Sequence, residues 1–493
     1  MIVSLGAAFA LASLCSGQPG AAAFWSVPTD TIKSAPESNR LLHVDSAGNA
    51  YRASQILVSS SSAIKVWKYD SAGNVVSAVT WTDATLAPGG YYPMAIAVRE
   101  SGGGVDVVVT GTAPGQNAQD YITIKYTTDT GSGALTQQWA ARYNNSAQNG
   151  DDIAIACVID GVSGDVYVTG KSAGVGTGSD YLTVKYTSAG VQSWTQRYGL
   201  AYDDAPADMI FVPGGALEAA VPLIVVTGAS SNGFDQDYAT IAYHTDGSLV
   251  WTPPTAPSGA VRFDGGGADF ATSIAFDAYI FVTGASYRAS TNLDYCTLAY
   301  DPSNGSAAWT APSYYNGSST DPGKDIPHKI TANKGPIGAP GIAVHVTGEA
   351  WRGTSKLDYV TLQYDGTNGL ETWDFPNILN ISNGEDRALD MAAVEHGDVY
   401  VTGASFNGTT LDYRTRRINV IDGTNKWTMP MGSVAYDGGL TDTGICVRLL
   451  RGIFGTGENS NIWVTGRSTT LTGVKPTTIK YCQCGVLPCS PCD

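Results

Sequence analysis

Two sets of aspartates hold most of the chemistry that can be read from this 493-residue chain. Asp120, Asp180, Asp237, Asp294, Asp358 and Asp412 each stand directly before a tyrosine. Asp152, Asp208, Asp269, Asp325, Asp386 and Asp442 stand just ahead of the first strand of a unit, in the connection from the unit before. A carboxylate in a turn accepts backbone N–H bonds; a group of carboxylates beside backbone carbonyls offers the oxygen ligands that calcium takes. The regular neighbours of the first set mark structural turn residues. The second set varies more, as in Asn149-Gly-Asp-Asp152 and Gly384-Glu-Asp386. Its six residues are the ligand-binding candidates, for calcium or a basic partner, with turn capping as the alternative. The Gly265-Gly266-Gly267 carbonyls would supply further oxygens.

The remaining reactive types are less organised. His43, His244, His328, His345 and His396 form no His-x-His or His-Glu-x-x-His pair, so a zinc hydrolase has little support. Serine triads assemble in space, and with serine this abundant no single one is a good candidate. Cys157, Cys296 and Cys446 are scattered, whereas Cys482, Cys484, Cys489 and Cys492 fall within eleven residues at the end. Two disulfides are expected there in an exported protein, with a four-thiolate zinc knot or free thiols as alternatives.

Composition narrows the field. A net charge of −16 argues against nucleic-acid binding, which needs a cationic surface. Hydrophobic residues make up 43% and charged residues 15%, which excludes disorder of the highly charged kind. No interior run approaches the length of a membrane span. At the start, apolar Leu5 to Leu14 is followed by Ala21-Ala22-Ala23, small residues of the kind a signal peptidase reads, so cleavage is expected after Ala23. The alternative is a retained apolar arm that pairs with a neighbouring subunit and builds polymers.

The elements that position these residues repeat along the chain. Val-Thr-Gly ends at Gly111, Gly170, Gly228, Gly284, Gly348, Gly403 and Gly466, about 59 residues apart. Each closes a β-rich run, so these glycines do not open a phosphate-binding helix. The Asp-Tyr segments then alternate strictly, as in Tyr181-Leu-Thr-Val-Lys-Tyr186, the period of a strand with two unlike faces. A turn rich in Asn, Asp and Gly follows, then a strand with one tryptophan: Trp25, Trp81, Trp139, Trp194, Trp251, Trp309, Trp373 and Trp427. These periodic aromatics read as packing between units rather than a sugar-stacking surface. A small apolar strand completes the unit, at 94–98, 153–157, 209–212, 273–276, 391–394 and 445–449.

A period somewhat above 45 residues with four strands per unit is a propeller signal. The expected fold is all-β: an eight-bladed β-propeller of four-stranded antiparallel blades. Phe24 to Val27 would serve as the missing outer strand of the last blade and close the ring beside Thr477 to Cys482. Seven blades plus a cap is the alternative. The expected divisions are 1–23 for the leader or arm, 24–484 for the propeller, and 485–493 for the cysteine-rich tail.

Asp-Tyr-Leu-Thr-Val-Lys-Tyr, Ser-Ala-Gly, Trp and Asp-Val-Tyr-Val-Thr-Gly together resemble the bacterial beta-propeller repeat family called SBBP, found in secreted and surface proteins; the likeness covers residues 40 to 482. Asp365-Gly-Thr-Asn-Gly-Leu-Glu-Thr-Trp373 is more weakly similar to the tryptophan-docking repeat of quinone-dependent dehydrogenases, although a vicinal Cys-Cys pair is missing. The first resemblance implies a secreted, non-catalytic module of a cell surface or extracellular assembly, binding protein or carbohydrate. The second implies an enzyme using the same pole.

Overall fold

The computed structural model describes 21–28, 38–449, 462–470 and 473–483, except for loop stretches at 59–60, 84–89, 103, 116–117, 146–147, 149, 201, 216–220, 253–258, 319–322, 336–340, 354–355, 428–432 and 438–439. Every described element is a strand, and the strands form eight four-stranded antiparallel sheets. The chain is an eight-bladed β-propeller. Blades 1 to 7 each run from an inner to an outer strand in sequence order. Blade 8 takes Asp442–Leu449, Ile462–Thr470 and Gly473–Gln483 from the end of the chain and its outer strand, Ala21–Pro28, from the beginning.

This composite blade closes the ring as the spacing predicts. Trp25 pairs with Lys480 and Val27 with Thr478. The ladder continues to Ala21 opposite Gln483, so Ala21 to Ala23, expected to lie ahead of the cleavage point, have ladder partners. Across the seam, Leu42 and Tyr69 of blade 1 share a buried cluster with Cys446 and Trp463 of blade 8.

The two repeated motifs meet inside blades 2 to 7. The threonine of Val-Thr-Gly lies opposite the threonine of Asp-Tyr-x-Thr, and their buried hydroxyls lie 2.8–3.2 Å apart; in blade 8, which lacks Asp-Tyr, Thr465 and Thr478 repeat the contact at 3.3 Å. The glycine that follows faces a bulge in the inner strand. A Cβ on Gly170 would stand 2.1 Å from the Ile153 carbonyl, which no side chain tolerates.

Seven of the eight periodic tryptophans occupy one repeated position; Trp81 does not. Lys125 and Lys185 pair with Trp139 and Trp194, but in blade 1 the equivalent Lys68 pairs with Ser77, and Trp81 lies four residues later, opposite Ile64. In blades 4 to 7 the outer strands are short (Ala260–Phe263, Ser313–Tyr315, Asn377–Leu379 and Ser433–Tyr436), and the tryptophan precedes the strand instead of lying in it. Its role persists. The indole N–H groups of Trp139, Trp194, Trp251, Trp309 and Trp373 donate to carbonyls in the next blade's outer turn at 2.9–3.1 Å.

The small apolar strands begin earlier than their apolar runs, at Asp152, Asp204, Asp269, Asp386 and Asp442, because each opens on a buried aspartate. The inner strand of blade 6, Ile326–Lys334, has no apolar run at all.

Candidate functional site

The two aspartate sets come together at one pole, where the loops between second and third strands meet the connections between blades. Asp204, not Asp208, is the blade 4 counterpart of Asp152: Asp152 pairs with Ser172 and Asp204 with Ser230. Asp208 lies four residues deeper, at the bulge opposite Thr227.

The hydrogen bonding of the two sets differs from the turn pattern read in the sequence. The inter-blade aspartates cap backbone: Asp152 accepts from the Asn145 N–H at 2.7 Å, Asp269 from Gly265 at 2.6 Å, Asp325 from Gly317 at 2.6 Å and Trp351 at 2.7 Å, and Asp386 from Ile381 at 2.7 Å. The Asp-Tyr aspartates meet side chains. Asp120 pairs with Arg142 at 2.7 Å, Asp180 with Arg197 at 3.0 Å and Asp358 with Arg352 at 3.6 Å, while Arg262 holds Asp237. Asp294 accepts from the Thr291 hydroxyl and Asp412 from the Asn407 amide. The arginines offset much of the negative charge expected on this pole.

Burial raises the carboxyls of Asp152, Asp204, Asp269 and Asp386 and pushes Asp325 up to about 6. Two places gather three carboxylates each across a blade boundary, with one oxygen from each residue within 4.8 Å of the others: Asp237, Asp264 and Asp269, and Asp412, Asp437 and Asp442. Asp264 and Asp437 follow the outer strands of blades 4 and 7; Asn144, Gly199, Asn316 and Asn380 fill this position in blades 2, 3, 5 and 6. Asp264 and Asp437 each stand five residues before Asp269 and Asp442, and that shared interval was the signal available in the sequence.

The axial channel is crossed by the chain itself. Ser38 to Arg40 precede the first inner strand, and Arg40 reaches blade 4, donating to Asp208 at 3.1 Å and to the Ala207 carbonyl at 2.8 Å. Asn39 donates to Leu389 of blade 7 and accepts from Arg448 of blade 8. Burial opposes the Asp208 charge, yet Arg40 and Lys329 hold its carboxyl below the usual range. A cavity of about 400 Å³ remains beside this crossing, lined by Arg40, Met94, Thr272 and His328 among others. His328 faces Glu349 at 3.7 Å.

Five other reactive residues sit within the blades. His345 is fully buried, with Nε2 3.0 Å from Gln363, and burial lowers its imidazole to about 4. Gly170-Lys-Ser172-Ala-Gly174 has the spacing of a hydrolase elbow, but Ser172 lies within a strand and takes a bond from Arg197. Cys157, Cys296 and Cys446 are buried and unbridged. The tail cysteines Cys484, Cys489 and Cys492 lie outside the described residues, as does the side chain of Cys482.

The same pole carries exposed apolar side chains on blades 3 to 5. Val175 and Phe234 occupy loops after second strands, Tyr202 the connection into blade 4, and Tyr287 the end of a second strand. Phe234 is 98% exposed. Tyr202 rests against Gly233, since a Cβ there would stand 2.7 Å from its ring.

No family model and no curated protein matches the chain. Among solved structures it is similar to the polysaccharide lyase Uly1, with 9% identity and a TM-score of 0.39 over 95% of this chain and 98% of that one. The β-propeller domain of the Trilobed protease from Pyrococcus furiosus matches with 7% identity and a TM-score of 0.39, over 82% and 99%. A glucose dehydrogenase matches with 10% identity and a TM-score of 0.30, over 62% and 93%. The fold assignment rests on the strand order; the chemistry of these neighbours does not transfer.

Proposed function

We propose that this chain is a secreted, non-catalytic propeller serving as a binding or structural module of a bacterial cell surface or extracellular assembly. Its docking face is the pole of blades 3 to 5. The observation that carries this reading is the group of exposed Val175, Tyr202, Phe234 and Tyr287, flanked by exposed Asp203 and Asp264. Apolar side chains clustered on one face of a soluble domain mark an interaction site.

The repeat motifs support export by their resemblance to secreted bacterial propellers. The fitting partner is a protein segment combining lysines or arginines with an apolar anchor, because the face joins aromatic rings to carboxylates on a chain of net charge −16. The quinone-dependent reading gains no support from the channel, where Arg40 already occupies Asp208 and the crossing segment bonds to blades 4, 7 and 8.

The test is capture of fluorescent 15-residue peptides by the full chain. Peptides with several lysines or arginines and one aromatic residue should bind, weaken as salt rises, and be lost with Tyr202→Ala and Phe234→Ala. Binding that ignores both substitutions, or that selects neutral glycans instead, overturns this partner assignment.

A further inference from the structure

We infer that the chain binds two calcium ions, one at Asp237, Asp264 and Asp269 and one at Asp412, Asp437 and Asp442. Each site joins the third strand of one blade to the inner strand of the next. The two are the same place in the repeat, and they are where the outer strand is followed by Asp rather than Asn or Gly.

Grouped carboxylates alone are not a site, but a second observation points into these. Asp237 is 3% exposed; Arg262 and Asn232 bond its Oδ2, while its Oδ1 is buried without a hydrogen-bond donor. Asp412 repeats this arrangement: Asn407 bonds Oδ2, and buried Oδ1 has no donor; the same oxygen is bare in Asp180, Asp294 and Asp358, where Gly199, Asn316 and Asn380 stand in place of the added carboxylate. The direction of that oxygen is visible in blade 3. There, Asp180 Oδ1 lies 2.2 Å from where a Cβ on Gly199 would stand, and Gly199 holds the position that Asp264 and Asp437 fill. In blades 4 and 7 that position holds a carboxylate, with one oxygen from each of the three residues within 4.8 Å of the others.

A desolvated carboxylate oxygen turned toward two further carboxylates is repelled unless a cation lies among them. Hard oxygen donors of this kind suit calcium, which fills the rest of its six to eight positions with backbone carbonyls and water. Bridging two blades, each ion would favour the closed ring over the opened one. This reading does not depend on the docking face, since the second site lies between blades 7 and 8.

The experiment uses the full chain, freed of metal with a chelator, in about 0.15 M NaCl. Calcium is titrated by calorimetry, and terbium by its emission under tyrosine excitation, with Tyr238 and Tyr413 adjacent to the two sites in sequence. Two ions per chain are expected. Asp264→Asn should remove one and Asp437→Asn the other, and both positions are exposed enough for the variants to fold. Wild type that takes up neither ion overturns the inference, as does full uptake by the double variant. Peptide capture, read separately on Asp437→Asn, keeps this result distinct from the fate of the docking assignment.

Discussion

The Tyr238 hydroxyl donates to the Cys296 carbonyl at 3.1 Å across a blade boundary, and it does so over Gly284, where a Cβ would lie 2.6 Å from the phenol oxygen. The tyrosine of one blade's Asp-Tyr thus depends on the glycine of the next blade's Val-Thr-Gly. Tyr121 repeats the bond to Leu182, Tyr359 to Arg414 and Tyr413 to Thr477, at 3.2–3.5 Å.

Gly284→Ala is therefore expected to destabilise far more than Tyr238→Phe. The added methyl meets the Phe270 carbonyl at 2.1 Å and the Ala271 Cα at 2.6 Å, both backbone, so the blade itself must shift. A cost of about 3 kcal/mol fits forced overpacking. Tyr238→Phe removes one hydrogen bond and leaves the packing, a cost of about 1 kcal/mol. Thermal melts of the two variants should rank in that order; equal melting temperatures would show that the inner strand yields easily.

A second pair links neighbouring blades at the outer edge. Gly369 has φ +77°, and a Cβ on it would stand 2.7 Å from the Trp309 ring. Gly369→Ala pays both for left-handed backbone and for this collision. In Trp309→Leu the collision should ease, so the double variant should lose less stability than the single losses summed. Denaturant midpoints of the four proteins test this coupling; strict additivity would mean that the glycine serves its turn alone.

The pH dependence of stability should carry the mark of Asp325. Burial raises its folded carboxyl from 3.8 to about 6, above its unfolded value, so the folded state holds a proton that the unfolded state has released. Its contribution is complete below about pH 4 and is lost as pH rises through about 6, by at most about 3 kcal/mol. Asp325→Ala should remove this component, although it also leaves the Gly317 and Trp351 N–H groups without their acceptor. The difference in stability between the wild type and Asp325→Ala should therefore shrink between pH 4 and pH 7; a constant difference would place the folded carboxyl near its ordinary value.

Legibility in the sequence followed how local each constraint was. Strand alternation, Val-Thr-Gly and Asp-Tyr act within one blade, and they were sufficient for the blade count and the closing strand. Trp81 keeps a nearly regular spacing from Trp25 and Trp139 yet pairs with Ile64; the bulge after Lys68 recurs after Lys125 and Lys185, but Ser77 takes the place opposite the lysine that Trp139 and Trp194 hold, and spacing does not reveal it. The inner strand Ile326–Lys334 carries no apolar signal because Pro327, His328 and Lys329 replace the apolar run, with His328 lining the channel cavity. Asp208 precedes an apolar run, as Asp152 does, so the sequence alone places both at the pole. What separates them is the distant Arg40, brought to Asp208 by the closed ring.

Closure itself makes the last prediction. Ala21–Pro28 is the outer strand of blade 8, held by the ladder from Ala21 opposite Gln483 to Pro28 opposite Thr477. Removing residues 1–28 leaves Gly473–Gln483 as an unpaired edge and breaks the strand ladder between the chain's two ends, leaving only the contacts of blade 1 and Asn39 with blade 8. Exposed edges of this kind recruit strands from other molecules. The truncated chain should melt at lower temperature and appear in aggregates or higher oligomers by size-exclusion chromatography, and a synthetic peptide of residues 21–28 should reverse both changes. If the full-length chain also forms oligomers that this peptide disperses, the strand is exchanging between molecules, which is how a retained arm would build polymers. A truncated chain that stays monomeric with an unchanged melting curve would show that the ring holds without its closing strand.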